Sequence, residues 1–301
     1  MSPSVAFLLC VERGFLEDQA LLLVRSIRRY GGRFRQTPVY AFQPRVGSAV
    51  TDHTSGLLRE LGAVHVTERL NARFADYPIA NKIFAAAWAE TTLDADILVF
   101  LDSDTFFARE PTALTLPAGR DAAVRPVSRA RWASTGPGDP NEAYWLDLYR
   151  ICGIPARPMV RTAVEGVPVR AYFNSGLVAV RRVAGLFRQW QADFLRLVAH
   201  EHLPSDRSWQ FMDQMALAAT LGRVFDRVLV LDPTYNYPLP ARPRLPSELA
   251  TLQLDDLVHV HYHSLFRDAD ALRRLSPPVD LERDVPSWLA QFLPLRDDRP
   301  R

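Results

Sequence analysis

Residues 97–107 read Ile-Leu-Val-Phe-Leu-Asp-Ser-Asp-Thr-Phe-Phe, an apolar run that ends on two aspartates one residue apart. A short unbroken apolar run bounded by turn-forming residues predicts a strand buried on both faces, as in a parallel sheet flanked by helices. A carboxylate at the carboxyl end of such a strand loses its water and needs something positive in front of it. Asp102 and Asp104 offer hard oxygen ligands for Mg²⁺ or Mn²⁺, at the end of the sheet where open α/β folds bind their ligands. The plainer reading is an Asp- and Ser-containing turn that closes the strand. The segment alone does not choose between them.

Working outward, the chain before this run alternates strand and helix patterns. Strands are predicted at 5–11, 37–42 and 63–66, and helices at 17–30, 52–61 and 79–92. The helix at 17–30 carries apolar residues at 21, 22, 24 and 27 with arginines between them, and Gly31 and Gly32 stop it. Three helices between four strands predict a nucleotide-binding style of α/β fold with a mixed, mainly parallel sheet. Beyond a short strand at 122–127, residues 128–170 are rich in Pro, Gly, Arg and aromatics, including Trp132, Tyr144, Trp145 and Tyr149, with helical character at 142–151. Long excursions of this kind serve as lids or binding segments. Strands at 171–180, 224–231 and 257–262 and helices at 183–200 and 208–221 complete the expected architecture, and the proline-punctuated tail from Ser276 is expected to wrap the core. The whole reads as one domain of 301 residues: a nucleotide-binding half (1–127), an irregular segment of lid or binding character (128–170), a second half (171–275) and a tail (276–301).

Bulk composition narrows the partners. With 48% hydrophobic residues the chain can build a substantial core, and 36 basic against 34 acidic residues give no reason to expect nucleic acid or an anionic membrane as partner. The first residues lack the basic region and cleavage site of a signal peptide, no apolar stretch approaches the roughly 20 residues of a membrane span, and Cys10 and Cys152 read as reduced thiols. A cytoplasmic location is expected, and oligomeric state is open. Of the basic residues Lys82 alone is lysine. Its ammonium is not equivalent to guanidinium, so it either sits on a helix surface by chance or reaches the cleft if its helix points there.

Four further segments carry polar groups in otherwise apolar surroundings. Asn174, Ser175 and Gly176 enter an apolar strand, where glycine allows a close backbone approach. Asp213 and Gln214 interrupt an apolar helix, Tyr235 and Asn236 occupy a turn, and His259, His261 and His263 alternate at a strand end so that their side chains share a face. Each has a bland structural reading of its own, as turn, helix surface or strand-face packing; their order along one chain is the stronger signal.

In that order the segments resemble glycosyltransferases of the GT-A fold, and most closely the retaining enzymes of glycosyltransferase family 8, over roughly residues 5–267. The resemblance implies that Asp102 and Asp104 bind Mn²⁺ (or Mg²⁺) beneath the diphosphate of a nucleotide sugar, with UDP favoured over GDP. It makes His261, which opens a His-Tyr-His-Ser-Leu-Phe-Arg segment matching the family's His-Phe/Tyr-x-Gly-x-x-Lys, the third metal ligand, and Arg267 the phosphate cation. Ser264, Arg267 and Asp268 stand where the family has Gly, Lys and often Pro. Asn174, Ser175 and Gly176, with Asp213 and Gln214, match groups that hold the transferred sugar; Asp213 and Gln214 are the expected catalytic pair. Val11, Glu12 and Arg13, after the first strand, are expected to receive base and ribose, and Ser103 and Lys82 to contact the donor. The expected function is metal-dependent transfer of a sugar from a nucleoside diphosphate sugar to an unidentified acceptor, with retention.

The chemistry agrees. A divalent cation across the diphosphate stabilises the charge on the leaving group, and a carboxylamide near the anomeric carbon stabilises oxocarbenium-like charge without being a strong nucleophile. Three rivals are weighed against it. A haloacid dehalogenase-like phosphatase would use Asp102 as nucleophile, but that family carries its motif on the first strand and needs a later lysine, and none comes after Lys82. A sugar-phosphate nucleotidyltransferase needs a Gly-rich basic loop that residues 10–14 do not supply. A nucleotide-sugar-binding protein would bind the same donor and differ only in lacking turnover.

Overall fold

The computed structural model describes residues 3–200 and 211–296. The first half builds as the periodicity predicts: β1 (Val5–Cys10), α1 (Phe15–Tyr30), β2 (Val39–Phe42), α2 (Asp52–Glu60), β3 (Ala63–Val66), α3 (Asn81–Thr92) and β4 (Ile97–Leu101). Acidic Glu17 and Asp18 lie in the first turn of α1 and basic Arg28 and Arg29 in the last, each matching the helix dipole. Gly32, at φ +56°, is the left-handed residue that ends it.

Seven strands form the main sheet in the order β10-β6-β9-β4-β1-β2-β3, with β6 at Ala122–Pro126, β9 at Phe173–Arg181 and β10 at Val228–Val230. All pairs are parallel except those made by β9, which runs antiparallel to both β4 and β6. Successive residues of β4 point to opposite layers. Leu98 and Phe100 pack with α3 and with α5 (Leu186–Val198) and α6 (Met212–Gly222), whereas Ile97, Val99 and Leu101 pack with α1. Burial on both faces is why the segment is apolar without alternation.

After the two aspartates the chain leaves this sheet. Thr105–Phe107 (β5) pairs antiparallel with β12 (His259–His261), which in turn pairs with β11 (Tyr237–Pro238) in a separate three-stranded sheet. The tail, including the helix Asp284–Leu289, buries Val285, Trp288, Leu289 and Leu295 in the cluster beside that small sheet.

Several expectations shift in detail. Residues 128–170 hold α4 (Glu142–Cys152) and an unforeseen antiparallel ribbon of β7 (Met159–Arg161) and β8 (Pro168–Arg170). Glu142 anchors this region through Arg170 and the Ser134 hydroxyl. The strand expected at 224–231 is only β10, because Phe225–Arg227 forms a 3₁₀ turn ahead of it. The expected helix at 208–221 is α6; residues 208–210 lie outside the described residues.

Candidate active site

The fork between the two sheets sets the site. Asp102 closes the main-sheet side, its backbone N–H donating to the Gly176 carbonyl of β9 at 2.9 Å. Asp104 closes the small-sheet side, its carbonyl accepting from the Tyr262 N–H at 3.0 Å beyond β12. A cleft of about 610 Å³ opens here, and its walls include Glu12, Lys82, Ser103, Asn174, Ser175, Asp213, Gln214 and His261 as well as both aspartates. Trp132, Arg129 and Arg131 from the irregular segment line it too. Val11, Arg13, Gly176 and Arg267 are not among the lining residues; Val11 is fully buried, and the Arg267 guanidinium lies 4.0 Å from the Phe15 ring centroid.

At the main-sheet end Lys82 is the hub. Its side chain is only 11% exposed, and Nζ lies 2.7 Å from Asp102 Oδ1, 3.3 Å from Asp213 Oδ2 and 3.1 Å from Ser175 Oγ. Ser175 in turn donates to Asp213 Oδ2 at 2.6 Å. α3 therefore points its one lysine into the cleft rather than to solvent. Burial works against the ammonium, but Asp102 and Asp213 outweigh it and hold the Lys82 pKa above its usual value. Burial pushes Asp102 up, and Lys82 offsets only part of that. Asp213 Oδ1 has no hydrogen-bond partner among the described residues.

The small-sheet end is built differently. His261 Nε2 lies 3.2 Å from Asp104 Oδ1 and His263 Nδ1 lies 3.4 Å from Asp104 Oδ2. Burial alone would raise Asp104, yet the two histidines outweigh it and hold the carboxyl well below the usual range. Burial disfavours the His261 imidazolium, but Asp104 more than compensates and raises its pKa. Asn236 orients His261: its Nδ2 donates to Asn174 Oδ1 at 2.8 Å, which leaves its Oδ1, 3.1 Å away, to accept from His261 Nδ1–H. Nε2 is thereby the nitrogen left to face Asp104. Such outer partners commonly set the tautomer of a metal-binding histidine.

The ligand atoms of Asp104, His261 and His263 all lie within 4.8 Å of one another. One carboxylate and two imidazoles fit a divalent first-row cation. Asp102 stands two residues from this group with its carboxylate turned to Lys82.

One expectation changes in content. A Cβ on Gly176 would stand 2.7 Å from the His261 ring, so the close approach this glycine permits is to an imidazole. Along β12, His259 is fully buried against Phe107, with ring centroids 4.8 Å apart, and His263 lies past the strand at φ +53° with its ring centroid 4.0 Å from that of His261. The roles of Asn236 and His263 escaped the sequence reading, although both stand in segments it singled out. A left-handed backbone at Asn236, φ +46°, was the missing signal, because it turns the amide toward β12. Glu12 is held by Arg45 in a two-pronged pair at 2.8 and 2.5 Å, and the Ser103 hydroxyl donates to the Cys10 carbonyl.

Residues 7–224 match the Rhodobacterales glycosyltransferase domain. The chain belongs to that family, and its fold is of the GT-A type. Among solved structures, the apo form of the bifunctional glycosyltransferase WbbM is similar at a TM-score of 0.50 and 12% identity, over 87% of this chain and 46% of its own. Mouse xyloside xylosyltransferase 1 comes next at 0.49 and 12%, over 87% and 98%, and GlyE of Streptococcus pneumoniae at 0.49 and 16%, over 87% and 55%. The chain spans about half the length of WbbM and of GlyE. At such identities the likeness to WbbM speaks for the fold alone. No curated protein matches. Among the described residues no helix is long and apolar enough to cross a membrane.

Proposed function

We propose that this domain transfers a sugar, with retention, from a nucleoside diphosphate sugar, UDP before GDP, to an acceptor that enters along residues 128–170. The reading rests above all on the pairing of Asp104 with His261 at 3.2 Å on the floor of a cleft that also holds the Lys82–Asp213 cluster. A divalent cation held by Asp104 and His261 would neutralise the diphosphate and favour its departure. The chain's own groups do the rest. Lys82 adds a fixed positive charge beside the departing phosphate while balancing the charge of Asp102 and Asp213. A sugar hydroxyl would satisfy the orphaned Asp213 Oδ1, fixing the ring over the cation side. Gln214, the next residue on α6, brings an amide oxygen toward the anomeric carbon, where it stabilises positive charge. Glu12 and Ser103 line the end of the cleft that receives base and ribose. Trp132 offers an aromatic face to the acceptor. Free Cys10 and Cys152 suit a reducing, cytoplasmic setting.

The test is calorimetric titration with a panel of nucleotide sugars, with and without Mn²⁺, on the wild type and on Asp104→Asn, and then the anomeric configuration of any product by NMR. One donor that binds only with metal, and fails to bind the variant, is the expected result. Metal-dependent binding with no turnover in the presence of an acceptor panel would leave a sugar-nucleotide-binding protein instead. Binding indifferent to both metal and variant would end the reading.

A further inference from the structure

We infer that the third protein ligand of the cation is His263, not Asp102, so that the site selects Mn²⁺ over Mg²⁺. The inference rests on the proposed reading that Asp104 and His261 hold a divalent cation.

Three observations carry it. First, convergence: atoms about 2.1 Å from one octahedral ion lie about 3 Å apart when adjacent; Asp104 Oδ1 stands 3.2 Å from His261 Nε2 and Asp104 Oδ2 stands 3.4 Å from His263 Nδ1, and one ligand atom from each of the three residues falls within 4.8 Å of the others. The two rings face each other with centroids 4.0 Å apart. Second, His263 is held in place. Its carbonyl accepts from Gln19 Nε2 of α1 at 3.2 Å, and its left-handed backbone, φ +53°, turns the imidazole back from the strand end toward Asp104. The side chain is 52% exposed, so binding a cation there costs little desolvation beyond that of Asp104 and His261. Third, Asp102 is already engaged. Drawing it onto the cation would break its 2.7 Å pair with Lys82 and leave the buried ammonium to Asp213 alone, and unpairing a buried charge is expensive.

The ligand set decides selectivity. Mg²⁺ prefers oxygen ligands, demands near-ideal octahedral geometry and gives up its waters reluctantly, whereas Mn²⁺, a transition-metal ion, tolerates imidazole better than Mg²⁺ does. Two nitrogens and one carboxylate therefore discriminate against Mg²⁺ more strongly than two carboxylates and one nitrogen would.

The experiment titrates the full chain with Mn²⁺ alone and counts coordinated imidazole nitrogens by pulsed electron paramagnetic resonance. Two nitrogens are expected in the wild type and in Asp102→Asn, and one in His263→Ala, with Mn²⁺ affinity of the last reduced about 10–100-fold and its preference for Mn²⁺ over Mg²⁺ narrowed. A single nitrogen in the wild type, a measurement that needs no variant to fold, overturns the inference. So does a His263→Ala protein that binds Mn²⁺ like the wild type. If Asp104→Asn abolishes binding while the wild type shows one nitrogen, only the His263 assignment is lost. If the wild type binds no Mn²⁺, the metal-dependent reading fails with it.

Discussion

Asp102 and Asp104 are two residues apart and meet opposite environments. The first closes the large sheet and faces an ammonium, within a cluster of two carboxylates, one lysine and one hydroxyl. The second opens the small sheet and faces two imidazoles. Burial acts on both carboxylates, yet the pKa of Asp102 ends above its ordinary value and that of Asp104 well below. The lesson is that one short motif feeds two devices: a closed ion network that holds its own shape, and an open donor set of one carboxylate and two imidazoles.

The sharpest way to break this contrast is to remove the hub of the closed end. Lys82→Met leaves Asp102 and Asp213 facing each other without a cation, and is expected to cost about 3–5 kcal/mol of stability in urea unfolding. Adding Asp213→Asn should return part of that loss; no recovery would mean that the lysine stabilises by packing, not by charge. At the open end the expected effect is on activity. Asp104→Asn should slow metal-supported transfer about 10²–10³-fold, measured as nucleoside diphosphate release, with a smaller change in stability than Lys82→Met causes. A stability loss equal to that of Lys82→Met would erase the distinction between the ends.

A smaller effect sharpens the tautomer argument. Asn236→Gly keeps the left-handed backbone comfortable but deletes the amide that orients His261, and Mn²⁺ affinity is expected to fall about 10–100-fold. Unchanged affinity by isothermal titration would show that the ring is oriented by packing. The smallest effect lies outside both ends and serves as their control. Hydrogen bonds from Arg170, then from Ser134, hold the Glu142 carboxyl below its usual 4.5. A depressed folded pKa means stability that is fully present above the unfolded value and lost as pH falls through the folded one. Glu142→Gln should therefore flatten the acid limb of the stability profile below about pH 4.5, monitored by circular dichroism, and leave Mn²⁺ binding at neutral pH untouched. A change in metal binding would tie the irregular segment to the cation.

Much of the large sheet was legible because its signals are local. Ile97–Leu101 is apolar without alternation, and β4 is buried on both faces; residues 17–30 repeat at helical spacing, and α1 forms there. The β7–β8 ribbon was not legible, since two three-residue strands carry too few residues to show a period. In the candidate site, the sequence pointed to Asp102, Asp104, Asp213 and His261, all of which line the cleft. It could not pair them. The lysine that the sequence left between a chance helix-surface residue and a donor contact is the buried partner of two of them, and the histidine that reads as strand-face packing stands beside a third.

Strand and helix order, the apolar core and the carboxylate, amide and imidazole groups at strand ends are written in the chain, because burial periodicity and turn chemistry act over a few residues. Which carboxylate meets the ammonium and which meets the imidazoles is a property of the folded molecule. That choice depends on β4 pairing with β9 while β5 leaves to pair with β12, contacts between residues 76 to 156 positions apart along the chain. No local pattern carries that separation, and a desolvated charge answers to whatever group the fold brings opposite it.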